Sequence, residues 1–463
     1  MKNYDVVVIG SGPAGQKAAM QVAKAGKKAA VVERRAAVGG VSVNTGTIPS
    51  KTFREAVLYL TGVRQRGIYG QSYSLKKEIT IQDLTERVSH VVRHEIEVIT
   101  AQFKRNGIDV IAGRASFADP HTIRVESADG SEQFGAETVI LAVGAGPAPS
   151  EAFPVDGKTI LDSETFFAMP ALPKTLTVIG GGVIGVEYAT MAATVGCRVT
   201  VVEARTRILD FVDGEIVEAL CYHMRESGIT LRLGEEVVLV KRLASGRVDA
   251  VTKSNKEIAS DAVLYAVGRQ GNTAELALEN AGLAADARGR IAVDACFQTM
   301  VPHIYAVGDV IGFPSLASVS AEQGRRASCH ALGLPTRPLS AFFPYGIYTI
   351  PEISYVGATE EELTKEGIPY ETGMARYREI ARGQILGDDS GLLKLLFHRE
   401  TRKLLGVHIL GEGASELVHI GQAVIVFGGT IDYFVDTVFN YPTLAECYKV
   451  AALAGINRLA ALA

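Results

Sequence analysis

Two glycine clusters carry the first chemistry that can be read along the chain. Gly10-Ser-Gly12-Pro-Ala-Gly15 follows the apolar run Asp5-Val-Val-Val-Ile9, and Gly180-Gly-Gly182-Val-Ile-Gly185 follows Thr175-Leu-Thr-Val-Ile179. Each opens a helical pattern, and each is trailed by an acid at the end of the next strand pattern. Glu33 lies 23 residues after Gly10, and Glu203 lies 23 after Gly180. One G-x-G-x-x-G is weak evidence, but strand, loop, helix, strand and acid together form the dinucleotide fingerprint. The first glycine permits the tight turn, the second lets backbone approach a pyrophosphate, and the third lets helix and strand pack. The helix N-terminus adds partial positive charge, and the acid accepts a hydrogen bond from a ribose 2′-OH. Two such sites on one chain point to electron transfer between a resident flavin and a visiting nicotinamide.

The second site holds a mixed signal. Glu203 suits the free 2′-OH of NAD, whereas Arg205 and Arg207 could clamp the 2′-phosphate of NADP, because a guanidinium matches phosphate geometry. Plain solvation of both arginines is the competing reading.

The elements that position these residues follow from hydrophobic period. The first unit is a strand, the glycine loop, a helix through Gly26 and the strand Ala29-Ala-Val-Val-Glu33. Helices are predicted over about 49–65 and 81–106. The second has Thr80 and Asp83 as a capping pair, Gly107 past its end, and Leu84, Val88, Val91, Val92 and Ile99 at helical spacing. Short strands are predicted over 108–146, ending in Thr138-Val-Ile-Leu-Ala-Val-Gly144. A second such ending is Leu264-Tyr-Ala-Val-Gly268, and a third is Ile304-Tyr-Ala-Val-Gly308-Asp309. From about 341 the pattern changes to alternating strands, such as Leu392–Phe397 and Leu404–Leu410, with helices at about 414–427 and 443–460.

The expected fold class is therefore α/β: two Rossmann-like dinucleotide-binding domains plus a C-terminal α+β domain. Residues 1–148 and 270–340 are expected to form the first dinucleotide-binding domain, 149–269 the second and 341–463 the C-terminal domain.

Composition agrees with a soluble chain of several domains. Of 463 residues, 47% are apolar and 21% charged, an ordinary globular mixture. A net charge of −4 gives no electrostatic reason to expect nucleic acid or an anionic membrane as partner. The five cysteines, at 197, 221, 296, 329 and 447, show no C-x-x-C spacing and read as reduced thiols of a cytoplasmic protein. His90 and His94 stand four apart on a predicted helix without further ligands in sequence, so no metal is expected there. No signal peptide and no transmembrane span is expected.

Gly10–Gly15, Gly39-Gly40-Val-Ser-Val-Asn-Thr-Gly-Thr-Ile-Pro-Ser-Lys51, Gly180–Gly185, Tyr305-Ala-Val-Gly-Asp309 and Tyr441-Pro-Thr-Leu-Ala-Glu446 together resemble the flavoprotein disulfide reductases over essentially the whole chain. Two departures stand out. Where that family carries two redox cysteines, this chain has Ser42 and Thr47. Where it carries a histidine before the Pro-Thr, this chain has Tyr441, although Glu446 remains. The branch that resembles this loss is the soluble pyridine nucleotide transhydrogenases, on Asn44–Lys51, Val310–Ala317, Gly346–Glu352 and Phe439–Thr443. Members of that branch often keep one cysteine at the Ser42 position; this chain does not.

The resemblance implies a Si-specific NAD(P)+ transhydrogenase with bound FAD, and NAD and NADP as substrates. It makes residues 1–148 and 270–340 the FAD-binding domain, 149–269 the NAD(P)-binding domain and 341–463 the interface domain. Passing a hydride from NADPH to NAD+ consumes no net proton, so no thiolate and no strong base is required. By resemblance, Gly10, Gly12, Gly15, Glu33, Gly40 and Gly144 hold FAD, and the Asp309 carboxylate binds its ribityl chain; a helix cap is the bland reading of Asp309. Leu316 and Ala317 start a helix whose N-terminus faces the flavin pyrimidine. Gly180, Gly182, Gly185, Glu203, Arg205 and Gly268 belong to the nicotinamide dinucleotide. Lys51 is placed near flavin N5, paired with Glu187, against the alternative of a surface lysine. Tyr441 and Glu446 are placed across a homodimer axis at the partner's flavin, against the alternative of a structural remnant. An NAD(P)H–quinone or dye reductase and a redox-silent flavoprotein subunit are the competing functions.

Overall fold

The computed structural model describes residues 1–70 and 72–462, which form two compact units. The first unit takes in residues 1–53, 85–149 and 267–338. Its centre is a parallel sheet, and the apolar runs explain why: strands covered on both faces need no polar alternation. Ala29–Glu33 is buried at all five positions, and Val6–Ile9 are buried as well. Lys2–Ile9 lies between Ala29–Glu33 and the long strand Gly130–Leu141, with Val7 opposite Ala30 and Val139. Asp109–Ala112 extends one side, and Ile304–Ala306 pairs with Val139–Leu141 on the other. Thr122–Ser127 and Arg114–Asp119 join as antiparallel strands.

This order brings the ends of Lys2–Ile9, Gly130–Leu141 and Ile304–Ala306 side by side. The three sequence motifs that follow those strands therefore converge. The helix Pro13–Lys24 packs against Ala317–Ala331 closely enough that a Cβ on Gly324 would strike the Ala14 carbonyl oxygen.

The second unit takes in residues 54–84, 150–266 and 339–463. It repeats the parallel pattern with Arg198–Glu203 beside Thr175–Ile179, which pairs in turn with Ala262–Tyr265. The helix Val183–Thr194 is buried from Gly185 through Ala192, as expected of a helix that is largely apolar all round apart from Glu187 and Thr190. A five-stranded antiparallel sheet follows, in the order Tyr345–Ile347, Ile353–Gly357, Leu404–Leu410, Leu392–His398, Tyr370–Arg376. Leu393, Leu395 and Phe397 share a core with Val418 and Ile425 of the helix Ala414–Val426 and with Tyr448 and Ala451 of Glu446–Leu462. Alternation turns Lys394 to the opposite face.

The predicted helices lie at Thr47–Thr61 and Ile81–Arg105, and the latter carries the expected Thr80/Asp83 cap. The first ends four residues early because Gly62 adopts a left-handed φ of 61°, which stops helical propagation. His90 and His94 stand exposed on the second helix, and four of the five cysteines are buried.

Candidate active site

The two glycine loops have the same local geometry. Gly10 has φ 105° and Gly180 has φ 108°, both in the left-handed region that favours glycine. A Cβ on Gly15 would collide with the Gly10 carbonyl oxygen, and one on Gly185 with that of Gly180. These third glycines let the helix lie against its strand. The middle glycines behave differently. Gly12 and Gly182 are the N-caps of Pro13–Lys24 and Val183–Thr194, have no side-chain cap, and face open space where a Cβ would point. Open space beside uncapped helix N–H groups fits a pyrophosphate.

Glu33 is buried, and its Oε2 accepts from the Ser11 N–H at 3.1 Å and the Ser11 hydroxyl at 2.5 Å, while Oε1 accepts from the Arg35 N–H at 2.9 Å. Gly40 closes on the same loop, since a Cβ there would lie 2.8 Å from the Gly12 Cα. Asp309 follows Gly308, whose own Cβ would meet Ala14 at 3.3 Å, so its turn sits against the first helix of the loop. Burial raises the Asp309 carboxyl above its ordinary range, with Arg269 at 3.6 Å opposing. Leu316 caps Ala317–Ala331 without a side-chain acceptor, leaving another helix N-terminus on this side. Gly144 has φ 68° and open space at its Cβ position, and Gly268 has φ 79°. Apart from Gly268, which the resemblance assigns to the nicotinamide dinucleotide, these groups fit FAD as the resident of the first unit.

Ser42 lies in the short helix Gly40–Asn44, Thr47 opens Thr47–Thr61, and Lys51 stands one turn further along, partly exposed.

At the second loop Glu203 is buried. Its Oε2 accepts from the Gly181 N–H at 2.5 Å, and its Oε1 accepts from the Arg205 N–H and Nε, each at 2.9 Å. Burial would raise this carboxyl, but the Arg205 guanidinium and the Arg205 and Gly181 N–H groups hold it below the usual range. Arg207 is spent elsewhere: it pairs with Glu361 at 2.9 Å and donates to the Val212 carbonyl. Arg205 is thus the arginine of the two that stays with Glu203. Glu187 is buried in its helix and accepts from the Tyr348 N–H at 2.8 Å. Tyr441 is 67% exposed, whereas Glu446 has one carboxylate oxygen buried without a hydrogen-bond partner.

Sequence reading missed a buried lysine in this unit. Lys394 is fully buried, with Asp213 at 2.8 Å, Glu215 at 3.1 Å and Glu360 also on its ammonium. The three carboxylates lie within 4.8 Å of one another, but the ammonium already occupies the position a cation would take. The signal was a lone charge in the strand Leu-Leu-Lys-Leu-Leu-Phe.

The pyridine nucleotide-disulphide oxidoreductase model matches residues 4–324, and the dimerisation-domain model of the same name matches 343–452. The chain belongs to the pyridine nucleotide-disulphide oxidoreductase family. Oxidoreductases of this family use FAD, and the fold pairs FAD- and NAD-binding domains with a dimerisation domain. Among relatives, the soluble pyridine nucleotide transhydrogenase of Mycobacterium tuberculosis is 55% identical, over 100% of this chain and 99% of its own. The protein of that name from Colwellia psychrerythraea is 44% identical over 99% of each. Among solved structures, LpdA from Mycobacterium tuberculosis is similar at TM-score 0.89 and 29% identity, covering 98% of this chain and 99% of that one. The HOCl-induced flavoprotein disulfide reductase RclA from Escherichia coli is similar at TM-score 0.87 and 29% identity, covering 97% and 99%. Among the described residues, no helix is long and apolar enough to cross a membrane.

Proposed function

We propose that this chain is an FAD-dependent, energy-independent transhydrogenase that moves a hydride between NADPH and NAD+. The observation that carries the reading is full-length identity of 55% to a soluble pyridine nucleotide transhydrogenase, in a chain with two complete dinucleotide loops. Ser42 and Thr47 support it, because neither hydroxyl can cycle through a disulfide. When bound, FAD supplies a hydride acceptor and donor that stays on the protein while the nicotinamides exchange.

The chain's own residues bind and orient. Gly12 and Gly182 leave room for the two pyrophosphates, and Glu33 and Glu203 present carboxylates to the riboses. Asp309 is assigned to the ribityl chain, and Lys51 and Glu187 each to a flavin-facing role, by resemblance. Tyr441 and Glu446 are assigned to the dimer-related site. The dimerisation-domain match supports a homodimer, as do Phe427 and Val438, which are 89% and 90% exposed within its span. The domain limits of 148, 269 and 340 and a cytoplasmic location belong to the same reading.

The test mixes yellow holoprotein with NADPH and thio-NAD+. The reduced thionicotinamide band should grow without any dithiol present. Absence of that band, with rapid turnover on a quinone instead, would replace this reading with a quinone reductase.

A further inference from the structure

We propose that Asp210 sets the balance between the two nicotinamide dinucleotides, by holding the Arg205 guanidinium on Glu203 against the pull of a 2′-phosphate. The inference rests on the assignment of the second glycine loop to NAD(P).

All three guanidinium nitrogens of Arg205 are engaged. Nε meets Glu203 Oε1 at 2.9 Å, NH2 meets Glu203 Oε2 at 3.2 Å, and NH1 meets Asp210 Oδ1 at 2.5 Å. Of five N–H donors, three are used and two remain for a ligand. The trio carries a net charge of −1 before any ligand arrives. A 2′-OH can share Glu203 without disturbing it. A 2′-phosphate brings further negative charge toward two carboxylates and competes with Asp210 for the Arg205 guanidinium.

The arrangement is built into the chain on both sides of the arginine. At the first loop the position of Gly181 is Ser11, whose hydroxyl fills Glu33 Oε2 at 2.5 Å. Gly181 has no hydroxyl, so the matching oxygen of Glu203 accepts from Arg205. A Cβ on Gly181 would lie 3.1 Å from that oxygen and 2.6 Å from Ile208 Cγ2. On the other side, Leu209 has φ 45°, a strained value for a branched residue. Packing holds it there: Leu209 is fully buried, and its N–H donates to the Gly181 carbonyl at 3.0 Å. That turn returns Asp210 to Arg205. An exposed ion pair is ordinarily weak, but this one shares its cation with a buried carboxylate. Asp210 is therefore a positioning residue for specificity.

The experiment is calorimetric binding of NADP+ and NAD+ to oxidised holoprotein, which needs no hydride transfer. Asp210→Asn should tighten NADP+ about three- to tenfold while NAD+ moves less than twofold. The gain should shrink as salt rises, disappear on an Arg205→Gln background, and be absent in Asp210→Glu. An unchanged NADP+/NAD+ ratio, equal shifts in both, or no NADP+ binding to either protein would overturn the inference. A selective shift in a protein that fails the thio-NAD+ assay would keep the role of Asp210 and refute transhydrogenation. Transhydrogenation with an unmoved ratio would do the reverse.

Discussion

Charges withdrawn from water in this chain are held by distant partners, as at Lys394, or by the local backbone, as at Asp156, and their consequences are measurable one residue at a time. Lys394 has no water to fall back on, so removing its ammonium leaves Asp213, itself fully buried, without its counter-charge. Breaking one side of such a cluster costs about 3–5 kcal/mol. Lys394→Met should therefore lower the melting midpoint by several degrees, and an unchanged midpoint would show that the cluster relaxes freely. Asp156 makes a pH-dependent contribution. Burial opposes its charge, but the N–H groups of Ile160, Lys158 and Thr159 hold its carboxyl at about 2. A depressed carboxyl stabilises fully above its unfolded value near 3.9 and loses that contribution as pH falls toward 2. Asp156→Ala should be less stable by about 1–2 kcal/mol at pH 7, after allowance for screening. The gap should be flat above pH 5 and narrow below pH 4; a gap constant to pH 3 would contradict the cause. Lys394 was not legible as such in the sequence, since a lysine in an apolar strand does not name its carboxylates. Arg207 shows the same limit: its partner Glu361 lies 154 residues away. Glu33 and Glu203 were legible because strand, loop and acid are local and their spacing is fixed by the fold.

At the scale of elements, the glycine loops separate packing from ligand space. Gly15→Ala drives a Cβ into the Gly10 carbonyl, so helix and strand must part and the folded protein should be lost or yield little soluble material. Gly12→Ala meets nothing in the protein. It should fold with a wild-type far-UV spectrum, yet purify with far less flavin, because the methyl enters the space assigned to pyrophosphate. Full flavin content in Gly12→Ala would remove that assignment. Period and punctuation made most elements readable: apolar runs ended by glycine gave the parallel strands, and Thr80 with Asp83 gave a helix start. The first long helix was misplaced at its end because a left-handed Gly62 outweighs the apolar residues beyond it. The helix Gly40–Asn44 escaped notice, being five residues long and too short to show a period.

At the scale of the whole molecule, the two glycine loops follow strands of separate sheets, and Ser42 and Thr47 stand where the resemblance places redox cysteines. Four of the five cysteines are buried at scattered positions, and burial pushes Cys197 and Cys447 up to about 12, far from thiolate chemistry. The central claim is that flavin alone stores the electrons. Anaerobic titration of the holoprotein with NADPH, followed at the flavin absorbance and then challenged with NAD+, tests it most directly. The account predicts a single equivalent of NADPH per flavin at the end point, and prompt return of the yellow colour with one NADH formed. Consumption of a second equivalent, or colour that NAD+ fails to restore, would contradict it.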